Sequence, residues 1–379
     1  MQIPINSWAI NMEIGQIPKT NGPVSTEIKT GGWRHWITAL GLDRGLRCWL
    51  GGCGAIVMLH RVKADHDTDW HGDPGLFTPL HQIAAIIETL RAEGYDLVNM
   101  DVALQRLALR RGPRFAVLTF DDGYRDNYEL LALLQRLQAP ATIYVTSGFI
   151  DGIMPDWWSA LERILNQGGT ALRLCLAGQH HCWPTADPAA RTHAYRQACS
   201  LLRVATPAAR LDALRALEQD HALPILSDSG QRMLSWAMLR ELQASGLIEV
   251  GAHTVSHPDL STLSVIEAQT EIRQGRERLE AELRSPVRHF AYPYGDAQSV
   301  SGPAIALARA AGFASAVLSY GGPVSTRHDV LALPRIPFGG ADTVQHLRLR
   351  LTGLRRARNP LPASVDPGAR IASNPLPTP

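Results

Sequence analysis

Short apolar runs alternate with longer amphipathic segments from about residue 55 to about residue 338 of this 379-residue chain. Phe115–Leu118 and Ala141–Val145 are apolar runs of strand length bounded by turn-forming residues, as is typical of buried β-strands. Between them, Asp126 is placed to cap a helix that extends to Leu137. This alternation over about 280 residues predicts an α/β fold built on a parallel barrel.

Two further signals mark where helices begin. Pro79 precedes a segment with one apolar face, which Gly94 is placed to end. Ser264 and Glu267 have the spacing of a capping box ahead of a long helix whose charged residues are expected to face solvent. These helices are predicted to cover the outside of the barrel.

Two acidic residues directly follow one of the predicted strands, in the sequence Thr119-Phe120-Asp121-Asp122-Gly123. The carboxyl edge of parallel strands is where barrel enzymes build their sites. Adjacent residues of an extended segment point in opposite directions, so the two aspartates need a turn to reach one pocket, and Gly123 can supply it. The same sequence is also common in ordinary turns.

Two histidines, His253 and His257, follow another short apolar stretch, Leu247–Val250. A divalent metal such as zinc binds about three protein ligands in a catalytic site and leaves one position for water, whose pKa it lowers. One aspartate and two histidines would form such an open site, and a second carboxylate beside it could act as a base. The two motifs together therefore predict an open metal site of the catalytic kind.

These motifs resemble those of the polysaccharide deacetylase family, also called the NodB-homology or carbohydrate esterase family 4 proteins. The resemblance covers roughly Ala55 to Phe338 and implies a distorted, incomplete (β/α) barrel of the NodB-homology type. It also implies that Asp121 is the catalytic base and that Asp122, His253 and His257 bind the metal. Zinc is the expected cofactor, and cobalt, nickel or iron would suit the same ligands.

A third segment, Phe290–Gly295, resembles the family's aromatic-Arg-Pro-Pro-Tyr-Gly motif and implies that the backbone N–H of Tyr294 lines an oxyanion hole. Ala291 replaces the family's arginine in this motif. The family's late Leu-x-His motif, which supplies the usual general acid, reads Leu-Pro-Arg and ends at Arg335. We expect Arg335 to supply the missing guanidinium beside Asp121 and to keep that carboxylate ionised.

The general acid that would protonate the leaving amine is unassigned. His60 closes the strand-like run Ala55–Leu59 and is expected either to face the pocket or to pack beside it. His289 and His328 are candidates through their proximity to the motifs in the sequence.

The stretch between the two main motifs is longer than family members typically need, so roughly Leu161 to Met233 is predicted to be a mostly helical insertion. A hairpin is expected near Leu172–Trp183, and Asp187-Pro188 and Thr206-Pro207 are expected to open two helices.

The insertion has two candidate roles, a structural addition to the barrel or a lid that shapes access of the substrate. In the second case Trp157, Trp158 and Trp183 are candidate platforms for stacking sugars, although tryptophan is more commonly buried.

Composition changes this interpretation little. A hydrophobic fraction of 45% and a charged fraction of 19% are ordinary for a globular protein, and a net charge of +2 argues against a nucleic-acid partner. We expect residues 1–50 to be a loosely ordered leader with a short helix, residues 51–345 to form the barrel with its insertion, and residues 346–379 to be a C-terminal extension with a disordered tail.

The five cysteines form no C-x-x-C pair and are expected to be reduced, with a Cys175–Cys182 disulfide across the hairpin as the alternative. The N-terminus lacks the basic start, apolar core and cleavage site of a signal peptide, so a cytoplasmic location is expected. The apolar stretch Cys48–Leu59 is too short to span a bilayer.

Together these features predict a hydrolase that removes N-acetyl groups from an amino-sugar-containing polysaccharide or oligosaccharide and releases acetate. Three alternatives remain at this stage: an amidase acting on a non-sugar C–N bond, a catalytically silent carbohydrate-binding protein, and a scaffold associated with a polysaccharide-synthesis machinery. The second is suggested by the missing family arginine and histidine.

Overall fold

The computed structural model describes residues 51–63, 72–109, 112–225 and 229–354. The predicted leader, with its short helix near Trp33–Leu50, and the predicted tail beyond residue 354 lie outside the described residues.

The described residues form twelve strands and eleven α-helices. The strands are β1 (Gly54–Leu59), β2 (Arg61–Lys63), β3 (Phe77–Pro79), β4 (Asp96–Leu97), β5 (Phe115–Phe120), β6 (Ala141–Val145), β7 (Ala171–Leu176), β8 (Gln179–Pro184), β9 (Ile248–Ala252), β10 (His289–Ala291), β11 (Ser315–Gly321) and β12 (Leu333–Pro337). The helices are α1 (Leu80–Ala92), α2 (Met100–Leu109), α3 (Leu130–Leu137), α4 (Ser147–Ile150), α5 (Trp157–Asn166), α6 (Pro188–Val204), α7 (Pro207–His221), α8 (Trp236–Ala244), α9 (Val265–Leu283), α10 (Gly302–Ala310) and α11 (Val344–Leu351).

Seven parallel strands close into a barrel, in the order β1, β5, β6, β9, β10, β11 and β12. Strand β1 pairs with both β5 and β12, which joins the two ends of the sheet. A complete barrel of this class has eight strands, and here a register shift between Val317 and Gly321 adds a distortion. The predicted distorted, incomplete (β/α) barrel is confirmed.

Most of the predicted helix boundaries are observed. Helix α1 follows Pro79, and the side chain of Ser264 and that of Glu267 form a complete capping box at the start of α9. The prediction that Asp126 caps a helix is wrong. Its carboxylate instead pairs with Arg61 at 2.9 Å, within a 3₁₀ turn that precedes α3.

The barrel interior has a polar base, an apolar middle and a polar top. Successive residues of a strand point to opposite faces, so Val117 points inward while Ala116 and Leu118 pack toward the outer helices. The apolar middle layer also contains Ile56, Phe115, Tyr144, Ala291, Val317 and Leu333.

The base of the barrel is organised by Glu249, the second residue of β9. Its carboxylate accepts hydrogen bonds from the backbone N–H of Met100 (2.8 Å), which starts α2, and from the hydroxyl of Thr142 (3.0 Å). His289 Nε2 lies 3.4 Å from the same carboxylate. Burial would raise the pKa of Glu249, but His289 and the hydrogen bonds hold that pKa below its ordinary value of 4.5.

The predicted insertion has its own hydrophobic cluster. Strands β7 and β8 form the expected hairpin with Leu172 opposite Trp183, and α6 and α7 begin where Asp187 and Thr206 cap them. The apolar side chains of these elements form one cluster with Tyr124, next to the first acidic motif. The insertion therefore lies over the top of the barrel.

Three smaller expectations can also be compared with the structure. Cys175 lies opposite His180 in the hairpin, and both Cys175 and Cys182 are free thiols. Helix α11 spans the expected domain boundary at residue 345 and buries Leu347 and Leu351 in the main core. Within the described residues, no helix has both the length and the apolar character needed to cross a membrane.

Replacement of Glu249 by glutamine is predicted to lower the free energy of unfolding by about 1 to 3 kcal/mol at pH 7, because a charged acceptor is lost at the base. Since the pKa of Glu249 is depressed in the folded protein, its stabilisation is present above pH 4.5 and disappears as the pH falls below it. Urea unfolding of both proteins from pH 7 to pH 3.5 checks this. Glu277→Gln, at an exposed position on α9, should change the free energy of unfolding little. A loss of unfolding free energy in Glu249→Gln that did not change with pH would contradict the stabilising role of the ionised Glu249 carboxylate.

Candidate active site

Asp122, His253 and His257 meet at the top of the barrel. Asp122 follows β5 and His253 follows β9, and these strands are separated only by β6. Asp122 Oδ1 lies 3.5 Å from His253 Nε2 and 3.4 Å from His257 Nε2. All three residues are buried, with at most 6% of each residue's surface exposed. The structure thus brings together the three residues that are predicted to be metal ligands.

The backbone around the site takes an uncommon conformation at four non-glycine residues: Asp122 (φ 77°), Thr254 (φ 66°), His257 (φ 52°) and Tyr294 (φ 61°). A positive φ is rare for residues with a side chain, and such strained positions cluster at functional sites. Gly123 also has a positive φ, of 84°, so the turn expected there is present and begins one residue earlier.

Helix α9 holds the loop between the two histidines. One carboxylate oxygen of Glu271 accepts the backbone N–H of Val255 (3.0 Å) and that of Ser256 (2.9 Å), and the other accepts the Ser256 hydroxyl (2.6 Å). One turn later, a Cβ on Gly275 would lie only 2.7 Å from the carbonyl carbon of Thr254. Only glycine lets the helix approach this closely, so α9 packs directly against the loop and fixes its conformation.

The protonation states leave several lone pairs facing one point. His253 Nδ1 lies 2.7 Å from the carbonyl oxygen of Ala291 and donates its proton there, so its Nε2 carries the lone pair. Burial lowers the pKa of both His253 and His257, which keeps them neutral. Asp122 Oδ1 is buried and accepts no hydrogen bond among the described residues.

Without a cation this arrangement is unfavourable. Burial, and then the charge of Asp121, raise the pKa of Asp122 well above its ordinary range. A bound divalent cation would reverse that preference and would satisfy the orphan oxygen and both imidazole nitrogens. The donor set of one carboxylate and two imidazoles therefore fits a metal such as zinc.

Asp121 forms a buried, two-point ion pair with Arg335. The distances are 2.7 Å from Nη1 to Oδ1 and 2.6 Å from Nη2 to Oδ2. The guanidinium also donates to the carbonyl oxygen of Leu318 (2.7 Å) and to the hydroxyl of Thr119 (3.1 Å). Burial alone would raise the pKa of Asp121, but the charge and hydrogen bonds of Arg335 hold it below its usual range. The structure places Arg335 beside Asp121, as expected.

Tyr294 lies against the metal-ligand candidates. The centroid of its ring is 4.8 Å from that of His257, and its backbone N–H meets no acceptor among the described residues. A backbone N–H that is free to donate is suited to an oxyanion hole. The oxyanion-hole role of Tyr294 stays a prediction, and the position of its N–H is compatible with that role.

The remaining histidines considered for the site, His60 and the candidate acids His289 and His328, lie in different places. His60 follows β1 at the top of the barrel, where it interacts electrostatically with Asp121 and His253 and where burial lowers its pKa. His289 starts β10 at the base, and the apolar middle layer lies between it and the site. The prediction of His289 as a candidate general acid is therefore wrong. His328 lies in the loop before β12, where its Nδ1 accepts a hydrogen bond from the backbone N–H of Ser325 (3.1 Å).

A second group of potential ligands surrounds His289 at the base. Its Nε2 is 3.2 Å from Asp101 Oδ1 and 3.4 Å from Glu249 Oε1. However, the Glu249 carboxylate already accepts three hydrogen bonds, and Arg288 lies 3.2 Å from Asp101. This group is better explained as a cap on α2, with the His289 imidazole packed beside the two carboxylates.

The three tryptophans considered as sugar platforms differ in their exposure to solvent. Trp157 and Trp158 are buried, and the Trp158 and His257 rings meet edge to face with their centroids 5.0 Å apart, so these two tryptophans form a wall of the site instead of an exposed sugar platform. Trp183 is partly exposed and stacks on His181 at 5.6 Å.

Sequence analysis missed several residues that shape the site. The sequence pattern predicts a solvated helix face for Glu271, and it predicts no role for Arg203 and Arg210 of the insertion. Each acts on a segment far from it in the chain, and no local motif marks such a contact. The one available signal is an aspartate two positions after His257 and another two positions after Tyr294.

The family described as polysaccharide deacetylase matches the chain over residues 109–174 and 205–316, and the interruption falls inside the predicted insertion. The deacetylase PplD of Streptococcus pyogenes has a similar structure, with 17% identity, a TM-score of 0.51, and coverage of 78% of this chain and 97% of that one. For the polysaccharide deacetylase BC0361 of Bacillus cereus the values are 17%, 0.50, 79% and 68%. No curated protein matches the chain.

At this level of identity the two solved structures show only that the fold is shared. The family assignment rests on the match to the family model. That match spans both segments that deliver the aspartates and the histidines to the top of the barrel. The chain therefore belongs to the polysaccharide deacetylase family.

Proposed function

We propose that this protein is a metal-dependent hydrolase that removes N-acetyl groups from an amino-sugar-containing polysaccharide or oligosaccharide and releases acetate. One observation carries the proposal: Asp122, His253 and His257 converge on one point, directly beside a carboxylate that Arg335 holds ionised. The deacetylase PplD was solved in complex with acetate, which is the product proposed here.

Asp122, His253 and His257 would hold the metal, and we propose zinc, with cobalt, nickel or iron as substitutes. When bound, the metal would polarise the amide carbonyl and make a water molecule more acidic. Asp122 and the two imidazoles supply the oxygen and nitrogen ligands that suit this chemistry.

The protein's own groups would move the proton and stabilise charge. Asp121, ionised at neutral pH, would accept the proton of the attacking water while Arg335 fixes the orientation of its carboxylate. The backbone N–H of Tyr294 would donate to the oxygen that gains negative charge. His60 is our candidate for relaying to the leaving amine the proton that Asp121 accepts from water, because its imidazole interacts with Asp121 at the same end of the barrel.

A cytoplasmic location and an association with polysaccharide-synthesis machinery remain proposals that rest on the sequence alone.

The proposal is tested by acetate release from a panel of N-acetylated and O-acetylated saccharides and of small non-sugar amides. We expect zinc-loaded protein to release acetate from the N-acetylated saccharides, and chelated protein to release none. Turnover confined to the small amides would favour the amidase alternative, and metal and glycan binding without acetate release would favour the silent protein.

Asp121→Asn is predicted to lower kcat at least about a hundredfold, because the amide cannot accept the proton, while binding of one metal ion per chain is retained. Steady-state acetate assays and elemental analysis measure the two properties. Asp212→Asn, on the exposed face of α7, serves as the control. Full turnover by Asp121→Asn would remove Asp121 from the mechanism.

His253→Ala is predicted to lose both metal binding and activity, since one of three ligands is gone. His289→Ala is the matched control, because His289 is another buried histidine on a neighbouring strand but lies at the base. It should still bind one metal ion per chain after gel filtration. Loss of metal binding by His289→Ala but not by His253→Ala would place the metal site at the base of the barrel.

Arg335→Lys is predicted to lower kcat at least about tenfold, because an ammonium cannot make both parallel hydrogen bonds that fix Asp121. Lysine keeps the buried carboxylate paired, so the variant should fold, which circular dichroism checks. A folded Arg335→Lys protein with unchanged kcat would show that the ion pair serves stability alone.

A further inference from the structure

The insertion places one arginine between the two loops that carry proposed site residues. Arg203, near the end of α6, has Nε and Nη2 each 3.2 Å from Asp259 Oδ2 and has Nη2 2.8 Å from Asp296 Oδ2. Its guanidinium carbon also lies 4.3 Å from the centroid of the Tyr294 ring. One side chain therefore contacts both loops and the ring at once.

The positions of the two aspartates explain what this contact joins. Asp259 comes two residues after His257, and Asp296 comes two residues after Tyr294. A shift of either aspartate therefore moves a proposed metal ligand or the proposed oxyanion donor.

Each aspartate divides its two oxygens between its own loop and Arg203. Asp259 Oδ1 accepts the backbone N–H and hydroxyl of Ser261 (3.1 and 2.7 Å). Asp296 Oδ1 accepts the backbone N–H of Gln298 (3.0 Å) and that of Ser299 (2.9 Å). The other oxygen of each faces Arg203, so the guanidinium binds loops that are already shaped and sets their distance from each other.

The backbone that carries Arg203 is itself fixed to the site. Arg210, fully buried at the start of α7, donates to the carbonyl oxygens of Leu202 (3.0 Å), Arg203 (3.3 Å) and His257 (3.3 Å). The side chain of Arg203 is 21% exposed and that of Asp259 is 5% exposed, so water screens this pair less than it screens a surface pair.

We propose that Arg203 is a positioning residue for the deacetylation reaction: it holds the His257 loop and the Tyr294 loop at the separation that the reaction needs. The insertion then completes the site and is more than an addition to the barrel. This inference rests on the proposed function, because the loops matter only if they carry a metal ligand and an oxyanion donor. A donor must lie about 2.7 to 3.1 Å from the developing oxyanion, and a displacement of about 1 Å can cost a hundredfold in rate.

The test compares Arg203→Ala, Arg203→Lys and Arg196→Ala for kcat, KM, bound zinc and thermal midpoint. Arg196 lies on the exposed side of the same helix, so Arg196→Ala should match the wild type. We expect Arg203→Ala to lose at least about tenfold in kcat with a much smaller change in KM, while still binding one zinc ion per chain. Arg203→Lys should recover part of the loss, because its single ammonium can pair with only one aspartate well.

Chemical rescue separates positioning from a general loss of stability. Millimolar guanidinium chloride should restore part of the kcat of Arg203→Ala and none of the kcat of Asp121→Asn. If Arg203→Ala does not fold, Asp296→Asn carries the test, since it removes the charge of one partner at constant shape and should also lower kcat.

Folded Arg203→Ala with wild-type kcat would overturn the positioning role and leave the proposed function intact. Acetate release by no form of the protein, wild type included, would overturn the proposed function and this inference with it.

Discussion

The paired hydrogen bonds between Arg335 and Asp121 are the interaction on which the site depends. A carboxylate buried beside a second aspartate would take up a proton, and a protonated acid could not act as a base. The guanidinium prevents this from inside the barrel, where it is also bound by Leu318 and Thr119. Arg335 stands where the family's histidine is expected, and it replaces the arginine missing at Ala291. The ion pair thus supplies a guanidinium in place of the missing arginine and leaves the protonating role of the missing histidine to another residue.

The layers of the barrel keep its two polar ends apart. Glu249 lies near the start of β9 and His253 directly follows its last residue, and four residues of an extended chain separate them by about 13 Å. Apolar side chains fill the space between. The base can therefore serve as a helix cap while the top gathers carboxylates and imidazoles for chemistry. The insertion then closes the top from outside through its hydrophobic cluster and its arginines.

Much of the site could be predicted because its residues directly follow strands. The period of two along β5 and the shared edge of parallel strands were enough to bring Asp122, His253 and His257 together. The same rule should have excluded His289, since the first residue of a strand lies at the opposite edge. The contacts of Arg203 could not be predicted, because they join residues 56 and 93 positions apart through an insertion whose placement no local pattern encodes.

The most direct measurement is anomalous X-ray diffraction at the zinc absorption edge from crystals of zinc-loaded protein. We predict one strong peak about 2.0 to 2.2 Å from a carboxylate oxygen of Asp122 and from Nε2 of His253 and His257, beside the pair of Asp121 and Arg335. A peak between Asp101, Glu249 and His289 with none at the top of the barrel, or no peak at either place, would contradict this prediction.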